Sequence, residues 1–289
     1  MTKAAVSPMS FHGLDAVILR SVDGAEAIVT LQGGHVVSWT PAQSGRERLY
    51  LSPDSAFSDG QAIRGGVPVA FPQFANRGPL VNHGFARNAM WRLQHGGRGP
   101  SGEAQAVLRL RAHAQSRALW PHDFVLDLAV HVLGDSLSLV LTCTNDGLLP
   151  MSFTCALHTY LRVADVAQVA LDGLGGQSYW DKTDGLNKVG DAALLVFDGE
   201  VDRIYGGVQR DLLLFETAGA ATPDLHIAQH GFTDVVVWNP GAARCAALPD
   251  MPADGYRHML CVEAACINCP VTLAGGQAWT GTQTLVAAR

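Results

Sequence analysis

A two-residue hydrophobic period recurs along this chain and constrains its fold more than any other feature. "AVLRLRA" (Ala106–Ala112) sets Leu108 and Leu110 against Arg109 and Arg111, and "SLSLVLT" (Ser136–Thr142) repeats the pattern with Leu137, Leu139 and Leu141. Similar runs are "DAVILRSV", "AEAIVTLQ", "FVLDLAVHVL", "DLLLFET", "TDVVVWNP" and "GTQTLVAA". Successive side chains of a strand point to opposite faces, so this alternation describes half-buried antiparallel strands. Glycine, proline and polar turns separate the runs. No long stretch carries a 3.6-residue apolar period, and strands do not alternate with helices, which disfavours a parallel α/β sheet. The expectation is one all-β domain over residues 1–289, a large sandwich of antiparallel sheets without the internal repeat of a propeller. Composition agrees: 48% of residues are hydrophobic and 16% charged, where about 25% charged is usual.

A net charge of −6 without a basic run argues against nucleic acid as a partner. The chain contains no run of 18 or more apolar residues, the length at which a membrane-spanning helix is read. Its first residues lack a charged segment followed by a long apolar stretch and a cleavage site. A cytoplasmic protein with no membrane partner is therefore expected. The six cysteines are too few and too clustered for a secreted disulfide framework. Cys261, Cys266 and Cys269 mimic the C-x4-C-x2-C spacing of a plant-type iron–sulfur site. They lie, however, in an apolar strand-like run with no ligand-rich loop, and read as small buried hydrophobes. No metal or redox site is expected there.

Five stretches carry polar side chains where the pattern asks for apolar ones. In "HMLCVEAACI" (His258–Ile267) a single carboxylate, Glu263, interrupts a buried strand, where an ionised group is costly unless paired or hydrogen-bonded. Cys261, Glu263 and Ala265 share one face and Val262, Ala264 and Cys266 the other, leaving small neighbours beside the carboxylate. "CALHTYLRV" (Cys155–Val163) puts Ala156, His158, Tyr160 and Arg162 on one face if alternation is strict. That face suits the floor of a polar pocket, although a hydrogen-bonded core histidine is the ordinary reading of His158. "AIRGGVPVAFPQFA" (Ala62–Ala75) holds Arg64 beside Gly65-Gly66, where the backbone can pass close to something; a structural loop with a surface arginine is the plain alternative. "VNHGFARNAMW" (Val81–Trp91) gathers Asn82, His83 and Arg87, read either as a second arginine of an anion site or as a capped turn with a core histidine. "GEVDRIYGG" (Gly199–Gly207) reads alone as a loop with a local Asp202–Arg203 ion pair.

Taken together and in order, "IRGGVPVAFPQF", "NHGFARNAMW", "ALHTYLRV", "VDRIY" and "HMLCVEAACI" with the later "WTGTQTL" resemble the aldose 1-epimerase (mutarotase) superfamily, and more narrowly its hexose 6-phosphate (glucose-6-phosphate 1-epimerase) branch. The resemblance runs from about Gly33 to Leu285. It implies a galactose-mutarotase-like β-supersandwich with a sugar pocket on one concave sheet and no cofactor. It also puts the catalytic pair on His158 and Glu263, substrate contacts on Arg64, Asn82, His83 and Arg87, and a pocket aspartate on Asp202. Asn82 departs from the glutamine often found in relatives, which weakens the expectation of sugar contact there. Exchange of α and β anomers needs a base at the anomeric hydroxyl and an acid at the ring oxygen, roles assigned to Glu263 and His158 during ring opening. Arg64 and Arg87 then anchor a 6-phosphate, Asp202 accepts from hydroxyls, and Trp238 or Phe85 faces the pyranose. The implied partner is a small-molecule sugar phosphate, and the protein is expected to be a monomer. Two other readings stand beside this one: a mutarotase for neutral sugars, in which the arginines are structural, and a non-catalytic sugar-phosphate-binding protein.

Overall fold

The computed structural model describes residues 4–190 and 192–288. The alternating runs become strands with nearly the expected bounds: Ala104–Arg111, Phe124–Leu133, Ser136–Asn145 and Ala278–Ala287 lie side by side in a nine-stranded antiparallel sheet. In the register of these strands Leu108, Leu128 and Leu141 stand opposite one another, as do Leu110, Leu126 and Cys143. Their apolar sides are buried, while the intervening Arg109 and Asp127 pair through two hydrogen bonds on the other face.

A second sheet, eight-stranded, runs in the order Leu186–Val189, Ser178–Asp181, Val201–Gly206, Asp234–Asn239, Met259–Leu273, Met151–Leu157 and Val69–Ala70, with the short Tyr160–Arg162 strand also paired to Met259–Leu273. A four-stranded sheet (Val6–Phe11, Leu14–Arg20, Glu26–Thr30, His35–Thr40) completes the architecture. Among the described residues the α-helices are two short ones, Ala114–Leu119 and Gly241–Cys245, and none is long and apolar enough to cross a membrane.

The main core fills the space between the two large sheets. Leu108, Leu126, Leu128, Leu137, Leu139 and Leu141 come from the nine-stranded sheet, and Cys155, Leu157, Val235, Val237, Val262 and Ala264 from the eight-stranded one. Burying each large side chain contributes roughly 1.5–3 kcal/mol, so this layer dominates the fold. One geometric consequence decides the rest. With Val262, Ala264 and Cys266 committed to the core, Cys261, Glu263 and Ala265 must emerge on the opposite face of the eight-stranded sheet.

Candidate active site

Register across the eight-stranded sheet assembles the site from distant segments. Asp202 pairs with Trp238, Trp238 with Cys261, and Cys261 with Tyr160, forming one row across four strands. The next row runs Ile204, Val236, Glu263. All of these side chains share the face away from the main core.

His158 sits where the strand pattern breaks. The Met151–Leu157 strand stops, the chain makes a two-residue step, and pairing resumes at Tyr160. Backbone bonds from His158 N–H to Pro68 O (2.9 Å) and from Tyr160 N–H to Gly66 O (2.9 Å) tie the step to the glycine-rich loop. Behind it the Thr159 hydroxyl donates to Gln283 Oε1, and the Gln283 amide donates to Val262 O at 3.0 Å. The glycines explain how the loop gets so close. A Cβ on Gly66, where φ is +61°, would lie 2.3 Å from Val36 O and 2.7 Å from His35 Nε2, and one on Gly65 2.3 Å from Tyr50 O. The close approach read from this pair is therefore to the chain's own backbone.

The step aims the imidazole at the carboxyl: His158 Nε2 lies 3.3 Å from Glu263 Oε1. The ring stacks on Tyr160 at 4.8 Å and meets His83 and Trp238 edge-on. His158 is 8% exposed and Glu263 1%. Among the described residues His158 Nδ1 and Glu263 Oε2 have no hydrogen-bonding partner. Burial, reinforced by the Asp202 carboxylate, holds Glu263 well above the usual carboxylate range. Burial again, with neighbouring His83 and the charges of Arg87 and Arg64, holds His158 well below the usual imidazole range. Both effects disfavour the charged forms, and groups this close titrate as a coupled pair.

Around this floor stands a cationic rim. Arg64 donates from Nε and Nη2 to Asp250 (3.2 and 3.1 Å) and from Nη1 to the Tyr160 hydroxyl (3.1 Å), with its guanidinium 5.9 Å from the Trp238 ring. Arg87, on the 3-10 turn Ala86–Asn88, donates from Nη2 to the Asn82 carbonyl, and among the described residues its buried Nε has no partner. It is Asn82's backbone, rather than its side chain, that contacts this arginine. His83 is at φ +63°, with its Nδ1 accepting from Ala75 N–H and its ring edge-on to Phe74. Burial and the charges of Arg87, Lys182 and Arg64 push its pKa down to about 3. Asp202 is buried beside the Lys182 ammonium at 2.8 Å. Burial raises its pKa although Lys182 opposes the shift.

Three expectations need correction. Asp202 and Arg203 form no local pair: they are successive residues of the Val201–Gly206 strand and point to opposite faces, Arg203 lying over the Tyr179 ring. Arg162 is exposed and donates to Leu49 O, because the step at His158 ends the strict alternation. Phe85 packs edge-on to Phe71 and against Phe124, lining a cavity with Met90 and Leu119 away from the His158 floor. Trp238 does lie at the floor. Lys182 and Asp250 were not singled out by any local motif. Each sits in an ordinary-looking segment, "WDKTDG" and "LPDMP", and only the fold delivers it to Asp202 or Arg64.

Comparison with known proteins bears on what this arrangement is. The family model described as Aldose 1-epimerase matches residues 15–286. A protein of Cenchrus ciliaris named "Putative glucose-6-phosphate 1-epimerase" is 36% identical over 280 residues, covering 93% of this chain and 83% of its own. One of the same name from Escherichia coli is 36% identical over 265 residues, covering 90% and 87%. The crystal structure of a "putative mutarotase" from Salmonella typhimurium superposes with a TM-score of 0.87 at 31% identity, covering 99% of this chain and 94% of the other. A galactose mutarotase-like protein from Clostridium acetobutylicum, at 14% identity and a TM-score of 0.73, shows the shared fold alone. The sandwich is thus a galactose-mutarotase-like fold, and this chain is an isomerase belonging to the aldose 1-epimerase family.

Proposed function

We propose that this protein interconverts the α and β anomers of a hexose 6-phosphate, with glucose 6-phosphate the first substrate to test. The observation that carries the reading is the His158–Glu263 contact of 3.3 Å on the face of the eight-stranded sheet away from the main core, with Arg64, Arg87 and Lys182 close enough for their charges to act on this group and on His83; in this reading the pair rests with one proton between its two members. Interconversion needs one proton removed and one delivered, so a pair that holds a single proton is matched to it.

Binding of the sugar arms the pair. An anomeric hydroxyl donating to Glu263 favours the carboxylate, and the displaced proton crosses to the imidazole. Glu263 then takes the O1 proton, His158 protonates the ring oxygen, the C1–O5 bond breaks and the aldehyde forms. Rotation about C1–C2 presents the other face, and closure runs the same transfers in reverse. Glu263 Oε2 and His158 Nδ1 have no protein partner among the described residues; with Nε2 receiving the Glu263 proton, Nδ1 carries the N–H that is given to the ring oxygen. Asp202 accepts from hydroxyls, Trp238 supplies an apolar face, and the rim cations meet the phosphate dianion.

One observation favours the second reading, a mutarotase for neutral aldoses. Arg64 already spends three N–H donors on Asp250 and Tyr160, leaving phosphate contact to Arg87, Lys182 and its two remaining donors. Anomer exchange followed by NMR separates the two. Glucose 6-phosphate should exchange at least about tenfold faster than glucose at equal concentration, the effect of one charged contact worth roughly 1.4 kcal/mol. Equal rates would assign the activity to neutral sugars, and no acceleration of either would leave a binding protein.

A further inference from the structure

Cys261, Cys266 and Cys269 mimic a metal-site spacing in the sequence, yet the fold disperses that trio. Cys261 faces the pocket, Cys266 faces the main core, and Cys269 is exposed. Instead, the register row places Cys261 beside the acid–base pair. Its Sγ, a ring nitrogen of His158 and a carboxylate oxygen of Glu263 all lie within 4.8 Å of one another.

We propose that these three side chains form a binding site for a soft divalent cation such as zinc. The donor set is one thiolate, one imidazole and one carboxylate, the types that zinc takes in four-coordinate sites with a position left open. Zinc bonds of about 2.0–2.3 Å place tetrahedral ligand atoms about 3.3–3.8 Å apart, and the His158–Glu263 contact already spans 3.3 Å. Small rotations of Cys261 and Glu263 complete the triangle, with the fourth position left to water. Two bound anions offset the repulsion from Arg64, Arg87 and Lys182, and neither Cys266 nor Cys269 can reach the same centre.

Binding displaces the thiol proton of Cys261 and the carboxyl proton of Glu263 to solvent as the metal bonds form. Zinc affinity should therefore rise with pH, by up to about tenfold per pH unit for each proton released. A cation held here occupies the groups assigned to anomer exchange and shuts that reaction off. This consequence rests on the proposed function, whereas the binding itself does not.

The test uses metal-free full-length protein titrated with cobalt(II) and with zinc. The expected results are a sulfur-to-cobalt charge-transfer band that saturates at one equivalent, one equivalent of zinc by calorimetry, and a zinc-dependent rise in Tm. Cys261→Ser and Cys261→Ala should each lose the band and weaken zinc by more than about tenfold, while Cys269→Ser keeps both. Circular dichroism confirms that each variant is folded, and two different replacements guard against one that is not. A band that survives both Cys261 variants, or its absence from the unmodified protein at one equivalent of cobalt, overturns the proposal.

Discussion

Burial and the Asp202 charge both oppose ionisation of the Glu263 carboxyl. Two predictions belong at this scale. Glu263→Gln keeps the shape and removes the proton carrier, so the anomer-exchange rate should fall about 10²–10⁴-fold; a rate within twofold of the unmodified protein would remove Glu263 from the reaction. The pH profile follows from the shared proton. In acid the pair gains a second proton and loses its base. Because the imidazole is held below its ordinary value, that limb should lie below pH 6.5. In alkali the pair loses its proton and with it the acid. Since the carboxyl is held above its ordinary value, activity should be flat through neutrality; initial rates in matched-ionic-strength buffers check this. Glu263 was legible because one acid in an apolar run has few explanations. Lys182 was not: a turn lysine is ordinary until the Val201–Gly206 strand brings Asp202 within 2.8 Å of it.

The elements that hold the pair are the two-residue step at His158–Thr159 and the loop and strand that brace it. Gln283, 1% exposed and carried by the Ala278–Ala287 strand of the other sheet, satisfies both Thr159 Oγ1 and Val262 O. Gln283→Leu should cost about 1–3 kcal/mol through the orphaned groups. It should also lower kcat more than it raises KM, because it moves His158 relative to Glu263 rather than the rim. Urea unfolding with parallel kinetics would show this, and a stability loss with unchanged kcat would deny the bracing role. Gly66→Ala places a methyl against Val36 O and His35 at φ +61°, a backbone conformation that alone costs on the order of 1–3 kcal/mol in a non-glycine residue. Strand positions were readable in advance because leucines at every second residue can be buried only one way, as in Ser136–Asn145. The step was not, because the bonds that fix it come from Gly66, Pro68 and Gln283. Assuming unbroken alternation put Arg162 in the pocket, and reading a loop around Asp202 missed the strand that turns Arg203 away.

For the molecule as a whole, two buried histidines, His35 and His158, and the half-buried His83 set the response to acid. His35, bonded to Gly65 O, has its pKa pushed down to about 4 by burial, His83 to about 3, and His158 is lowered as well. Each is lower folded than unfolded, so its neutral form favours folding above the ordinary value near 6.5. That contribution is lost as pH falls from 6.5 toward the folded values, on the order of 3 kcal/mol for His35 alone. Tm should therefore decline below pH 6.5, and His35→Gln should flatten the decline; a Tm constant from pH 7 to pH 4 would contradict it. Glu263 acts with the opposite sign, since a raised carboxyl contributes stability that fades as pH climbs through its folded value.

The row from Asp202 through Trp238 and Cys261 to Tyr160 joins parts of the polypeptide that are neighbours only once the last ribbons have closed. Long-range pairings of this kind form late and slowly. During refolding from urea, catalytic competence should return together with the final recovery of aromatic near-ultraviolet dichroism, and no shortened piece lacking the Ala278–Ala287 segment should be active.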